Sequence, residues 1–298
     1  MSNSNRIITM SAVTKNYRDP ETNVYFQALR GIDLSIREGS FCSIIGPSGA
    51  GKSTLLNILG GMAKVSTGEV VVDSLPIHLL DQEDLVNYRR SICGFLWQNP
   101  DNNLLPNMTM EDNIIHTMQV AGYPRKERKE RARELLKSVG LEHRMDHKLG
   151  QVSGGEAQRA GLATALANNP RILLADEPTG ELDSETTVEI IDYLKNMSRE
   201  YDVTVVVVTH DHRFERSTDN SFNIIDGTIA GYRVAVDKTQ DWKSSVREEF
   251  SVVNQFGMVK LPPKIKEELQ ITNYMRFIKD ETTGRYYIEK VDEDEVHR

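Results

Sequence analysis

Cysteine is nearly absent from this chain: two residues, Cys42 and Cys93, in 298. Two thiols cannot build a disulfide framework, and their scarcity suits a reducing compartment. Both are read as small buried hydrophobes rather than as nucleophiles or metal ligands. Long apolar runs are also missing. No segment approaches the roughly 20 residues needed to cross a bilayer, and the longest β-like run, residues 203–208, fits only a buried strand. Residues 1–6 are polar and lack the apolar stretch of a signal peptide. An excess of basic charge is lacking too: 36 Lys and Arg face 44 Asp and Glu, a net charge of −8. Chains that live on nucleic-acid backbones are biased the other way, so no nucleic-acid partner is expected. Aromatics are sparse at 7%, but 39% hydrophobic and 27% charged residues are ordinary for a globular protein and exclude a disordered chain. A cytoplasmic protein is expected.

Residues 7–10, 31–36 and 41–45 alternate in the manner of strands, and a glycine-rich turn then leads into a helical segment over 52–59. The pattern over 83–168 is mostly helical. Two continuous apolar stretches, 172–175 and 203–208, read as strands buried on both faces, as in the centre of a parallel sheet. Around 232–249 the sequence turns polar and aperiodic. The expected organisation is therefore a main domain over 1–232, a linker over 233–249 and a small module over 250–298. Within residues 125–133, six basic and two acidic side chains read as a solvated helix face. His143 and His147, with Asp146 between them, have i, i+4 spacing but no third ligand, and read as a solvated helix end.

The chemistry concentrates in Gly46-Pro47-Ser48-Gly49-Ala50-Gly51-Lys52-Ser53, which fits the phosphate-binding pattern G-x-x-x-x-G-K-[ST] between a buried strand and a helix. Glycines let backbone N–H groups converge on phosphate oxygens, and the helix N-terminus adds positive partial charge. Lys52 is placed to reach the outer phosphates and Ser53 to ligate Mg²⁺. The pattern alone says only that a nucleoside triphosphate binds. A second acidic element narrows it: the apolar strand 171–175 ends in Asp176 and Glu177. The first carboxylate can hold the Mg²⁺ shell, and the second can take a proton from an attacking water.

Further along, Ser153-Gly154-Gly155-Glu156 resembles the signature motif of ATP-binding-cassette (ABC) ATPases, and Val207-Val208-Thr209-His210-Asp211 resembles their switch-histidine segment. Phe95-Leu96-Trp97-Gln98 is similar to their glutamine loop, and Glu181-Leu182-Asp183 to the loop after the catalytic acid. The motifs stand in the family order across residues 7–232. The resemblance implies an α/β fold: a P-loop NTPase core with a parallel sheet, an antiparallel β subdomain and a helical subdomain, here followed by a small, mainly-β C-terminal extension. It implies ATP and Mg²⁺ as cofactors and a head-to-tail cassette dimer. Glu177 would be the general base, with His210, Lys52 and Gln98 catalytic beside it. Nucleotide would be held by residues 46–53, Thr54 and Tyr17, with Tyr25 and Phe26 as competing aromatics. Ser153, Gly154 and Gly155 would contact the γ-phosphate held by the other cassette, Asp183 would carry contacts across the dimer, Glu156 would join the nucleotide-binding set, and Ser53, Gln98 and Asp176 would serve the metal. Ala157 and Thr164 depart from the usual signature helix.

Residues 102–113, with Gly60-Gly61-Met62, are similar to the subgroup of lipoprotein-releasing, macrolide-exporting and cell-division ATPases. That resemblance implies a separate membrane permease as partner and a peripheral position on the inner face of the cell membrane, with docking through residues 97–113, Leu104 and Leu105 included. The alternatives are the ATPase of a non-transporting membrane complex and a soluble cassette ATPase. The tail, read as strand (251–262), short helix (264–269) and hairpin (276–280 with 285–291, around Gly284), resembles the swapped-hairpin barrel of AbrB-type regulators and implies a dimerisation module. Those regulators bind DNA, but 8 Lys and Arg against 9 Asp and Glu over 250–298, a net of −1, oppose that here.

Overall fold

The computed structural model describes residues 6–235, 247–253, 259, 261, 263–270, 274–280 and 283–291. Its strands in chain order are β1 (Arg6–Arg18), β2 (Tyr25–Arg37), β3 (Phe41–Ile45), β4 (Thr67–Val72), β5 (Leu75–Pro76), β6 (Cys93–Leu96), β7 (Ile172–Asp176), β8 (Thr204–Thr209), β9 (Asn220–Ile225), β10 (Thr228–Ala235), β11 (Arg247–Ser251), β12 (Tyr274–Lys279) and β13 (Tyr286–Val291). The helices are α1 (Lys52–Leu59), α2 (Gln82–Ser91), α3 (Met110–Val120), α4 (Arg125–Ser138), α5 (Gly154–Ala165), α6 (Ser184–Glu200), α7 (His212–Ser217) and α8 (Pro263–Glu268).

The central sheet has the order β11-β10-β9-β3-β8-β7-β6. Its core is parallel, with β3 paired to β8 and β9, and β7 to β8 and β6. Alternation explains why it holds two hydrophobic layers. Val205 and Val207 of β8, Leu173 and Ala175 of β7, and Phe41 and Ile45 of β3 join a core beneath the helices α3 to α7. Their neighbours Val206, Val208, Ile172, Leu174, Cys42 and Ile44 point the other way, into a core shared with α1 and with the antiparallel sheet β2-β1-β4-β5. Side chains one residue apart face opposite sides, so a strand sandwiched between two layers must be apolar throughout. Ser43 is the exception in β3, and its hydroxyl bonds Thr218 and Ser221, each at 3.0 Å. The helices that follow the strands start on capping side chains: Asp81, Thr109, Ser153, Asp183 and Asp211 accept the first N–H groups of α2, α3, α5, α6 and α7.

Within the mostly helical stretch 83–168 the structure inserts β6, four residues whose pairing with β7 makes it an edge strand too short to show a period. The expected linker over 233–249 is strand at both of its described ends. Residues 233–235 close β10, and Arg247 to Glu249 pair with them antiparallel. An edge strand carries as many polar side chains as a linker does, so composition could not separate the two. Residues 236–246 lie outside the described residues, as do 254–258, 260 and 262 within the expected tail strand, where Val253 bridges Val259. The short tail helix appears as α8, and β12 pairs with β13 as a hairpin.

Other expectations resolve locally. Cys42 and Cys93 are unbridged and buried, and burial pushes the Cys93 thiol up to about 12. His143 stands 3.8 Å from the Glu156 carboxylate and His147 3.3 Å from Arg144, and no metal-holding cluster is present among the described residues. Along α4, Arg133 pairs with Glu111 and Arg131 with Glu134. Leu104 is 2% exposed and belongs to the core, so it cannot be a docking contact, whereas its neighbour Leu105 is 46% exposed. No helix among the described residues is long and apolar enough to cross a membrane.

Candidate functional site

Five parallel strands, β9, β3, β8, β7 and β6, end on one edge of the sheet, and each delivers a group to the same cleft. After β3 comes the loop of residues 46–51, which turns directly into α1. Gly51 is the tight point: its φ is +99°, and a Cβ there would lie 2.7 Å from the Ala28 carbonyl. Both the left-handed backbone and the close approach require glycine. Lys52 opens α1, is 7% exposed, and donates to the carbonyls of Gly46 and Pro47 at 2.9 and 3.1 Å. Its Nζ is 3.5 Å from Glu177 Oε1. A buried ammonium held among loop carbonyls and a carboxylate is pre-positioned for an anion.

The end of β7 supplies the acids. Ser53 Oγ donates to Asp176 Oδ1 at 3.2 Å. Burial raises the Asp176 carboxyl above its ordinary range, against the Ser53 hydrogen bond. Glu177 has φ 45°, a left-handed conformation that costs a non-glycine residue about 1–2 kcal/mol. It is held there by its own N–H on the Val208 carbonyl at 2.9 Å and by the end of β8. The Thr209 hydroxyl donates to Glu177 Oε2 at 2.7 Å, the His210 N–H reaches the same oxygen at 3.3 Å, and His210 Nδ1 lies 3.1 Å from Oε1. Burial acts to raise Glu177, but the bonds from Thr209 and His210, with the His210 charge, outweigh it and keep the carboxyl below its ordinary range. The group is therefore ionised at neutral pH, as a proton acceptor must be.

The end of β6 brings Gln98, whose Nε2 lies 2.8 Å from where a Gly180 side chain would begin. The preceding turn is clamped: Trp97 N–H donates to Asn103 Oδ1 at 2.9 Å, and the Trp97 carbonyl accepts from Asn103 and from Gln158 at 3.0 and 2.9 Å. Gln158 lies on α5 and is 1% exposed. The turn after β6 and α5 are thus bolted together.

The cleft brings together Pro47, Ser48, Gly49, Gly51, Lys52, Ser53, Thr54, Gln98, Glu177 and His210, with Tyr25 and Phe26 at its rim. Gly46 and Ala50 shape the loop without lining the cleft. Tyr17 does not line it either. Its ring stacks on Phe26 at 5.6 Å between centroids, with the Lys15 ammonium 4.8 Å from it. Thr209, Asn103, Gln158, Tyr25 and Phe26 are structural partners whose roles depend on tertiary contacts. No spacing rule singles out the first three.

Ser153, Gly154, Gly155, Glu156 and Asp183 lie outside this cleft. Ser153 and Glu156 form a reciprocal capping box on α5, with N···O distances of 3.2 and 2.8 Å. The Ser153 backbone bond, with Arg144 in support, brings the Glu156 carboxyl down to about 2. A serine that accepts at a cap keeps its own hydroxyl hydrogen for another acceptor. Asp183 Oδ1 caps α6 through Glu185 and Thr186, and its Oδ2 takes the Thr186 hydroxyl at 2.7 Å. The two glycines differ. A Cβ on Gly155 would meet Thr186 Cγ2 at 2.5 Å, whereas on Gly154 it would meet only Leu182, at 3.7 Å. Packing within the chain explains the bareness of Gly155 but not that of Gly154.

Comparison with known proteins bears on this arrangement. Residues 29–180 match the model of the ABC transporter family. An uncharacterized ABC transporter ATP-binding protein of Methanocaldococcus jannaschii, MJ0796, is 43% identical over 227 residues, 75% of this chain and 95% of that one. The lipoprotein-releasing system ATP-binding protein LolD of Bacteroides fragilis is 38% identical over 75% of this chain and 100% of its own length. Among solved structures, the dimeric post-hydrolysis state of MJ0796 bound to ADP and Pi is similar with a TM-score of 0.67 and 41% identity, covering 74% of this chain and 96% of that one.

The contrast between the two glycines is measurable. Gly155→Ala forces Thr186 aside, against its bond to Asp183, and is expected to destabilise the fold by about 1–3 kcal/mol. Gly154→Ala is expected to stay within about 0.5 kcal/mol of the parent. Urea unfolding of both variants checks this, and equal losses would contradict the packing described.

Proposed function

Because the chain belongs to the ABC transporter family and is an ATPase of that family, we propose that it drives a separate integral-membrane permease from the cytoplasmic face, in export or in lipoprotein or peptide extraction. The observation that carries the reading is the convergence of Lys52, Ser53, Glu177 and His210 on one cleft, with Asp176 hydrogen-bonded to Ser53, in a chain whose described helices include none able to span a membrane. The name of LolD, lipoprotein-releasing, supports extraction as the form of the work. The second reading, force transmission in a non-transporting complex of division or wall remodelling, uses the same chemistry. A soluble cassette ATPase is the third.

In the proposed reaction, Glu177 takes the proton of a water whose oxygen attacks the γ-phosphorus, and the bond to the ADP oxygen breaks. His210 orients that water and the γ-phosphate, and Lys52 turns from its loop carbonyls to the outer phosphates. Ser53 and Asp176, two hard oxygen donors 3.2 Å apart, fit Mg²⁺, which keeps several waters and asks for few protein ligands; Gln98 completes its surroundings. Bound there, Mg²⁺ would neutralise charge on the transferred phosphoryl group. Ser53 and Asp176 hold the metal side of the cleft, while Glu177 and His210 hold the water side. The adenine meets an aromatic cluster in which Phe26 and Tyr25 reach the cleft and Tyr17 stacks on Phe26 behind them.

A head-to-tail homodimer completes the site, with Ser153 and Gly154 of one cassette facing the γ-phosphate of the other. Gly154, bare without an internal reason, admits that approach, and Gly155 sets the packing of α5 behind it. Glu156 and Asp183 act by holding the helix starts. The permease docks on the turn that carries Leu105. The hairpin of β12 and β13, which leaves Phe277, Ile278 and Tyr287 exposed, pairs with its twin and keeps two cassettes close when ATP is absent.

Three outcomes test this. Glu177→Gln should retain ATP binding while turnover falls at least about 100-fold, read by nucleotide titration beside phosphate release; parent-like turnover would remove Glu177 from the base role. Leu105→Asp should abolish copurification with the permease and leave basal ATPase intact; unchanged copurification would move the docking surface elsewhere. Ending the chain after Val252, so that β11 is kept, should turn a nucleotide-free dimer into a monomer in light scattering; a truncated chain that stays dimeric refutes the clamp.

A further inference from the structure

A second cavity, of about 400 Å³, lies away from the nucleotide cleft, where β11 joins the sheet beside α6 and α7. That volume suits a small ligand. Five cations line it, Arg37, Lys195, Arg199, Arg216 and Arg247, against two carboxylates, Glu38 and Asp219. The acids balance the cluster only in part: Glu38 pairs with Arg171 outside the cavity, and Asp219, which accepts the Phe41 N–H at 3.0 Å, offsets some of the charge of Lys195 and Arg247, leaving five cations against two carboxylates. Among the described residues, none of Arg37, Lys195, Arg199 and Arg216 has a carboxylate within ion-pair distance. In a chain of net charge −8 such a concentration does not come from composition.

Arg247 is the most telling member. Its Nη2 donates to the carbonyls of Arg216 and Thr218, at 2.7 and 2.5 Å, at the end of α7. Its Nε and Nη1 are shut off from solvent and have no hydrogen-bond partner. Buried guanidinium donors without acceptors are costly, and the charge they carry is offset by an anion in the adjoining cavity. Lys195 and Arg199 stand four residues apart on α6, a like-charge spacing that works against the helix. Burial lowers the Lys195 ammonium and Arg199 adds to the effect, against the opposing charges of Asp219 and Asp192. Burial also lowers Arg247, against the Asp219 carboxylate and with Arg233 in the same direction. Both are relieved when negative charge enters.

We propose that this cavity is a binding site for a phosphate-bearing anion, recognised by Arg247, Lys195 and Arg199. The site requires β11 and so belongs to the junction of cassette and tail. Phosphate rather than a single carboxylate fits the surplus of positive charge, and the chemistry is shared by soluble phosphate esters and by anionic lipid headgroups. The proposal is independent of the transport reading.

The test uses the full chain saturated with Mg²⁺ and a non-hydrolysable ATP analogue, which fills the phosphate loop. Calorimetric titration with inorganic phosphate should show saturable binding, weakened about tenfold in Lys195→Met and in Arg199→Gln, the loss of one charge-assisted contact each. Both changes sit on a helix surface and relieve repulsion, so folding is kept, and thermal unfolding verifies it. In parallel, flotation with phosphatidylcholine vesicles, with and without phosphatidylglycerol, separates the sources. Capture by the anionic vesicles alone, lost in both variants, makes the ligand a lipid headgroup. Phosphate binding without capture makes it a soluble ester. Binding of neither probe, or binding unchanged in both variants, overturns the site.

Discussion

Everything chemical in this molecule depends on the parallel register of β3, β8 and β7. Ile45 lies opposite Thr209, and Asp176 opposite Val208, so the ends of three strands are level. That alignment sets Glu177 beside Thr209 and His210 and brings Lys52 and Ser53 across from the two acids. Because each strand is apolar on both faces, Ser43 of β3 apart, the register is fixed by two cores at once. A slip of one residue would exchange every side chain between the layers. The cleft then falls at the carboxyl ends of the strands, where open α/β sheets leave room for a ligand.

Much of this was legible beforehand, because some signals are local. The loop over 46–53 declares itself by glycines and a lysine at fixed spacing, and β7 and β8 by unbroken apolar runs. α1 falls on the expected residues. What escaped is what depends on tertiary position. Thr209 looks like the last residue of a strand until its hydroxyl is found on Glu177. Gln158 and Asn103 are ordinary polar residues until both meet at the Trp97 carbonyl. Leu104 and Leu105 are identical in composition and differ only in which way a turn presents them. β11 read as linker because an edge strand with one wet side has no hydrophobic signature.

Several residues carry more than one obligation. Ser153 and Asp183 begin helices as caps, and Gly155 seats α5 against α6, before any partner is considered. Helix starts are a physically economical place for phosphate recognition, since capping chemistry and anion chemistry use the same N–H groups and hydroxyls. The same economy holds in the cleft. Glu177, in a backbone conformation that disfavours side chains, is kept in place by the groups that keep it ionised.

The contact between Lys52 and Glu177 has a bearing on affinity as well as on rate. The carboxylate is a built-in competitor for the ammonium, so an incoming triphosphate must displace it before Lys52 is available. Observed nucleotide affinity is therefore a net quantity, the intrinsic attraction of the loop less the strength of this internal pair. A neutral side chain at 177 removes the competitor. Nucleotide retention in such a variant then gains an equilibrium component, which weakens as ionic strength rises.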